Sequence, residues 1–87
     1  MSVPISSLSL SNAKQVLQLG LKAIQNGQYE FDLSNITSTD SSSVAVMLAW
    51  QRAAQTASKQ LQFRNTPANI LSFAALYGVT DLLGLHD

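Results

Sequence analysis

The sequence contains no cysteine, which excludes both a disulfide framework and a thiolate metal site. Its one histidine, His86, stands beside Asp87 at the chain's end, so a Ser/His/Asp triad would have to be assembled from a terminal tail. No pair of acidic residues recurs at metal-ligand spacing. G-x-x-x-x-G-K-[ST] and G-x-G-x-x-G are both missing, which removes the usual phosphate cradles. Catalysis and a bound cofactor are therefore not expected. Charge is scarce and balanced, five basic against five acidic side chains, with no Lys/Arg cluster. That argues against nucleic acid or anionic lipid as a direct ligand. No apolar run approaches the roughly 20 residues that cross a bilayer. Met1-Ser2-Val3-Pro4 has neither the basic start nor the apolar stretch of a signal peptide. The expected location is the cytoplasm, without direct membrane insertion.

What the chain does have is apolar content. Hydrophobic residues make up 46% and charged residues 11% of the 87, leaving few charges to keep an isolated surface hydrated. Some apolar surface is expected to be covered by a partner. The length predicts one domain around one core.

In chain order, Val3-Pro4-Ile5 reads as a short strand, with Pro4 suited to an edge. A first helix is expected from Ser11 as N-cap, because Ala13, Val16, Leu17, Gly20, Leu21 and Ile24 share one face. Asn26-Gly27 stops it. Gly20 on the buried face predicts a close approach of helix to sheet. Tyr29 to Leu33 alternates as a strand. A second helix is expected from about Ser41 to Ser58, followed by a strand over Leu61 to Arg64. A third helix is predicted with Thr66 as N-cap, Pro67 at its first position and Gly78 at its end. Val79, Leu82, Leu83 and Leu85 then pack as a last strand or helical turn, and His86-Asp87 frays. Strands alternating with helices imply an α/β fold with a parallel sheet.

The second helix carries two apolar stripes. Val44, Met47, Leu48 and Ala54 form one; Val46, Trp50, Ala53 and Ala57 form another, displaced around the axis. Either both sink into one wide core contact, or the second faces a partner, for which Trp50 would be an apt anchor. Ahead of it, Asp40-Ser41-Ser42-Ser43 supplies side-chain oxygens for orphan N–H groups at a helix start. A phosphate on a serine there would be favoured by the helix dipole.

Asp32-Leu33-Ser34, then Thr39-Asp40-Ser41-Ser42-Ser43-Val44, with Asn65-Thr66-Pro67 and Tyr77-Gly78-Val79 through Leu82-Leu83 downstream, resembles the STAS domain of anti-sigma factor antagonists and its lipid-transport relatives. The resemblance runs from Ile5 onward. It implies a small, largely parallel sheet with helices packed against it and, given the short front, a reduced N-terminal strand pair. Family members commonly read D-S-S-G or D-S-T-G, and the residue after the aspartate, here Ser41, is the phosphorylated or partner-contacting one. Ser43 departs from the family glycine, which puts close backbone approach of a partner in doubt.

Two roles follow from the resemblance. The lipid-transport branch implies an accessory subunit that stabilises or activates the cytoplasmic ATPase of an ABC transporter, and through it meets a membrane permease. That transporter moves phospholipid to maintain outer-membrane lipid asymmetry, and the subunit is peripheral to the inner membrane. The other branch implies an antagonist controlled by phosphorylation of Ser41. The expected partner surface comprises Thr39, Asp40, Ser41, Ser42 and Ser43, with Val46 and Trp50 added from the second stripe.

Overall fold

Two parallel strand pairs, each bridged by helix, set the layout of the computed structural model, which describes residues 1–85. The elements run β1 (Ser7–Leu8), α1 (Ala13–Gln25), β2 (Glu30–Asp32), β3 (Ser38–Thr39), α2 (Ser42–Thr56), β4 (Gln62–Arg64) and α3 (Ala68–Leu76). Parallel neighbours cannot be joined by a tight hairpin, so each pairing encloses a crossover. β1 pairs with β3 in the register Ser7 to Ser38 and Leu8 to Thr39. β2 pairs with β4 in the register Glu30 to Gln62, Phe31 to Phe63 and Asp32 to Arg64. The expected α/β architecture of the STAS type is thus present, built from short strands.

The chain's first residues complete this layer. Val3 N–H donates to Asp32 C=O at 2.9 Å, and Asp32 N–H donates to Met1 C=O at 2.7 Å. On the opposite edge of β2, Gln62 N–H donates to Tyr29 C=O and Leu33 N–H to Arg64 C=O. Residues 1–3 and β4 therefore flank β2. After Pro4, which has no N–H to offer a ladder, the chain moves across to β3, where Thr37 and Ser38 N–H both donate to Ser6 C=O. The expected strand at Val3-Pro4-Ile5 is reduced to a single parallel bridge between Ser2 and Asp32.

Helix starts differ from the sequence expectation by a residue or two. α1 begins at Ala13, with Asn12 and not Ser11 at its boundary. Asn12 does not cap the helix; its Oδ1 accepts Ser9 N–H at 2.9 Å and its Nδ2 donates to Ser7 C=O at 2.8 Å, tying down the loop after β1. α3 begins at Ala68 with Pro67 at the boundary, one residue later than Thr66 capping would place it. Helix ends follow the glycines. Gly27 at φ 84° lets its N–H reach Ile24 C=O and Gln28 N–H reach Ala23 C=O, and Gly78 at φ 69° repeats the arrangement for α3. The last segment is a helical turn, with Leu83 N–H bonded to Val79 C=O. It buries Leu83 and Leu85 but leaves Leu82 exposed. His86 and Asp87, expected to fray, lie outside the described residues.

The core is centred on Trp50, which has no exposed surface. Its ring meets Phe31 edge-on at 5.1 Å between centroids and stacks on Phe63 at 6.5 Å. Its Nε1–H donates to Leu17 C=O at 2.9 Å, so the one polar atom of the indole is satisfied inside. Gly20 of α1 permits this. A Cβ there would fall inside the Trp50 indole, so the close approach predicted for Gly20 is helix against helix, not helix against sheet.

Candidate partner-binding site

Asp40 is the residue that organises the start of α2. The chain leaves β3 at Thr39, and the Asp40 N–H still bonds back to Leu8 C=O. Asp40 Oδ1 accepts the Ser42 amide at 2.9 Å and the Ser42 hydroxyl at 2.5 Å, while Oδ2 accepts the Leu10 amide at 3.1 Å. One carboxylate thus caps α2 and fastens the β1–α1 loop beside it. The Ser42 hydroxyl, then the Leu10 amide and the Ser42 amide, hold the Asp40 carboxyl below the usual carboxylate range. Stabilising the charged form by donors is the physical cause.

With Asp40 as cap, the next three serines are distributed by helical geometry. Ser41 is already helical, at φ −65° and ψ −17°, and its exposed side chain makes no capping bond. Ser42 is half-buried and committed to Asp40. Ser43 is fully buried, and its Oγ has no hydrogen-bond partner among the described residues. Its expected place on the partner surface is therefore corrected: the residue that departs from the family glycine is buried and has no area to present to a partner. Thr39 is half-buried, its hydroxyl donating to Asp40 C=O.

The second apolar stripe is likewise corrected. Trp50 is 0% and Val46 5% exposed, so neither has area to present to a partner. Val44, Met47 and Ala54 of the first stripe are buried as well. Residues of both stripes thus enter one wide core contact, with α1 along one side of α2, whereas Leu48 and Ala53 are half-buried and Ala57 is exposed.

What surrounds Ser41 on the outside is a groove of about 260 Å³ lined by Ser41, Val44, Ala45, Leu48 and Tyr77. Tyr77 is 55% exposed, and Leu10, tethered to Asp40 through its amide, is 79% exposed. Sequence reasoning missed Ala45, Leu48, Tyr77 and Leu10 as surface candidates. A signal existed for two of them: Leu10 stands outside every helical stripe, and Tyr77 directly precedes the helix-ending Gly78. None of the lining residues is charged, and the Asp40 carboxylate next to Ser41 is already engaged. Such a site can bind an apolar side chain and offer a hydroxyl at its rim.

A second carboxylate, Asp32, accepts the Ser34 amide at 2.9 Å and the Asn65 side-chain amide at 3.1 Å. The Ser34 amide foremost, then the Asn65 side chain, lower its pKa. It fastens the loop after β2 to the one after β4 and is structural. Among the described residues no three His, Cys, Asp or Glu side chains gather where a metal could be held. No helix among them is long and apolar enough to cross a membrane.

A family model described as "Mlab, STAS domain" matches residues 6–84 of the chain. Neither a curated protein nor a solved structure matches it.

Proposed function

From the premise that the chain belongs to the STAS-domain family, whose members generally serve as regulatory or accessory binding domains, we propose a specific role for it. It is a non-catalytic accessory subunit that binds and stabilises the cytoplasmic ATPase of an ABC transporter. That transporter moves phospholipid to maintain outer-membrane lipid asymmetry, and the chain reaches the permease and the membrane only through the ATPase. The observation that supports this reading is the exposed Ser41 hydroxyl at the start of α2, beside the apolar groove of Leu48 and Tyr77. The subunit acts by differential affinity, favouring the ATPase conformation that fits this surface. Co-expression with the ATPase subunit encoded in the same genome tests it. The pair is expected to co-elute and the ATPase to turn over faster, with Ser41→Glu weakening the pair more than Ser41→Ala. Separate elution and an unchanged rate would sink the proposal.

The exposure of Ser41 also favours a second reading, an antagonist released from its kinase by phosphorylation there. Phosphoserine at Ser41 formed by a purified anti-sigma kinase, with loss of the complex, is its test.

A further inference from the structure

The groove at Ser41 does not end at Leu48. A second depression, of about 170 Å³, continues on the far side of Leu48 and is lined by Gln51, Arg52, Gln55 and Leu82. Leu82 is 61% exposed, and Arg52 is exposed with no ionic partner among the described residues, where the only ion pair is Arg64 with Glu30. The strip from Ser41 to Gln55 spans four turns of α2, roughly 20 Å at 1.5 Å per residue. Along it the surface is apolar at one end and in the middle, and carries a single cation at the other.

We propose that this strip is a docking groove for an amphipathic helix of the partner. The helix lays apolar residues against Leu48, Tyr77 and Leu82 and places a carboxylate against the Arg52 guanidinium. The inference rests on the accessory-subunit reading and names the chemistry its partner must offer. The strip is lined along its length by α2 and faced by Tyr77, just past α3, and Leu82 in the last turn; no strand residue lines it, so it presents no strand edge to an extended peptide, and a helix is the segment that fits. The sign follows from Arg52, whose planar fork pairs a carboxylate through two parallel hydrogen bonds. A second copy of this chain does not meet the requirement. Its five acidic residues are Glu30, Asp32, Asp40, Asp81 and Asp87, and none lies in α1, α2 or α3. The complementary helix must therefore come from a different protein.

The test uses the full chain, dye-labelled, titrated with the purified ATPase subunit of the lipid-transport ABC transporter from the same genome, at low and high salt. Both substituted side chains are exposed, so the thermal melts of Arg52→Glu and Leu82→Ala should match that of the original chain. Arg52→Glu is expected to weaken binding by about tenfold or more at low salt and to reverse its salt dependence, because it sets a carboxylate against the partner's carboxylate and salt screens that repulsion. Leu82→Ala is expected to weaken it about fivefold with the salt dependence retained. If the original chain binds and both variants stay within about twofold of it, the groove is overturned while the accessory-subunit reading stands. If the original chain does not bind the ATPase at all, both fall. Two other results would also overturn it, each with ATPase affinity unchanged in the variants. One is loss of binding to phosphatidylglycerol vesicles on Arg52→Glu, which would assign the strip to a lipid surface. The other is a dimer of the isolated chain that Leu82→Ala breaks, which would assign it to a second copy.

Discussion

The two faces of α2 are made from nearly the same amino acids and do opposite things. On one face Val46, Met47, Trp50 and Ala54 are sealed against α1 and the sheet. On the other, Ala45 and Leu48 line an open groove with Tyr77. Hydrophobicity does not distinguish them. What does is the complement each face meets: Gly20 and Leu17 of α1 receive the indole of Trp50, whereas the outer side of Leu48 is left lining open depressions among the described residues. A face becomes core when a neighbour has been shaped to accept it, and stays a surface when none has. The difference can be broken from either side.

The largest effect should come from removing Trp50. Trp50→Ala deletes the side chain that joins Phe31, Phe63 and α1, and should cost roughly 3–5 kcal/mol by chemical denaturation. Gly20→Ala should cost roughly 1–3 kcal/mol, since the new methyl group overlaps the indole. The pair is the sharper experiment. In the Trp50→Ala background Gly20→Ala should become neutral or gain up to about 1 kcal/mol, because the clash is gone and alanine favours a helix. Additive costs would mean that Gly20 matters for some reason other than Trp50.

Two buried polar side chains mark the next step down. Gln51 is 3% exposed; its Nε2 donates to Leu61 C=O and its Oε1 accepts Leu61 N–H, imitating a strand partner along that edge. Gln51→Leu should cost roughly 1–3 kcal/mol for each main-chain group it strands. Ser43 is the contrary case, a buried hydroxyl with no partner among the described residues. Ser43→Ala should stabilise the fold by about 1 kcal/mol, since it removes an unpaired polar atom and raises helix propensity. Unfolding curves for the two variants shifting in the same direction would contradict this account.

These residues also show what was legible in the sequence. The three helices, the strands β2 and β4, the parallel pairing and the stops at Gly27 and Gly78 were readable because each depends on local signals: alternation, helical periodicity and a left-handed glycine. The two-residue strands β1 and β3 are too short and too polar to alternate visibly and were missed. A capping role for the Asp40–Ser43 cluster was readable from local signals too, but not that Asp40 alone performs it. The role of α2's two stripes was not. Periodicity says that both are apolar, and only the three-dimensional fit of Gly20 to Trp50 decides which is inside. Gln51 and Ser43 were missed because their burial depends on neighbours distant in sequence. Leu10 enters the site through a bond to Asp40 thirty positions away.

Acid should act on the exposed side of α2 before the buried one. The Asp40 carboxyl titrates below its unfolded value because it accepts bonds from Ser42 and Leu10, so its contribution is present above the ordinary aspartate range and is lost as pH falls through the lowered value. Thermal melts should therefore decline towards strongly acid pH. Asp40→Asn should lower the melting temperature near neutrality and make that decline shallower. Asp32, lowered by Ser34 and Asn65, keeps part of the acid response in the variant. An acid profile identical in both proteins would remove Asp40 from its capping role.

The smallest effect on stability should come from Ser41, although it sits at the centre of the proposed site. Its side chain is exposed and makes no capping bond, so Ser41→Ala removes no hydrogen bond among the described residues. An exposed substitution of this kind should stay within about 0.5 kcal/mol. For a domain of this size that is a melting shift of no more than about 4 °C. Ser41→Glu sets two opposed terms against each other. The helix N-terminus favours the new charge by roughly 0.3–1 kcal/mol, while repulsion from the adjacent Asp40 carboxylate opposes it. The two should nearly cancel. Equal stability of the original chain, Ser41→Ala and Ser41→Glu would mean that any loss of partner affinity in the glutamate variant arises at the interface. A glutamate variant that melts far below the alanine one would instead make Ser41 part of the capping structure, and the contrast between the two faces of α2 would no longer hold at its first turn.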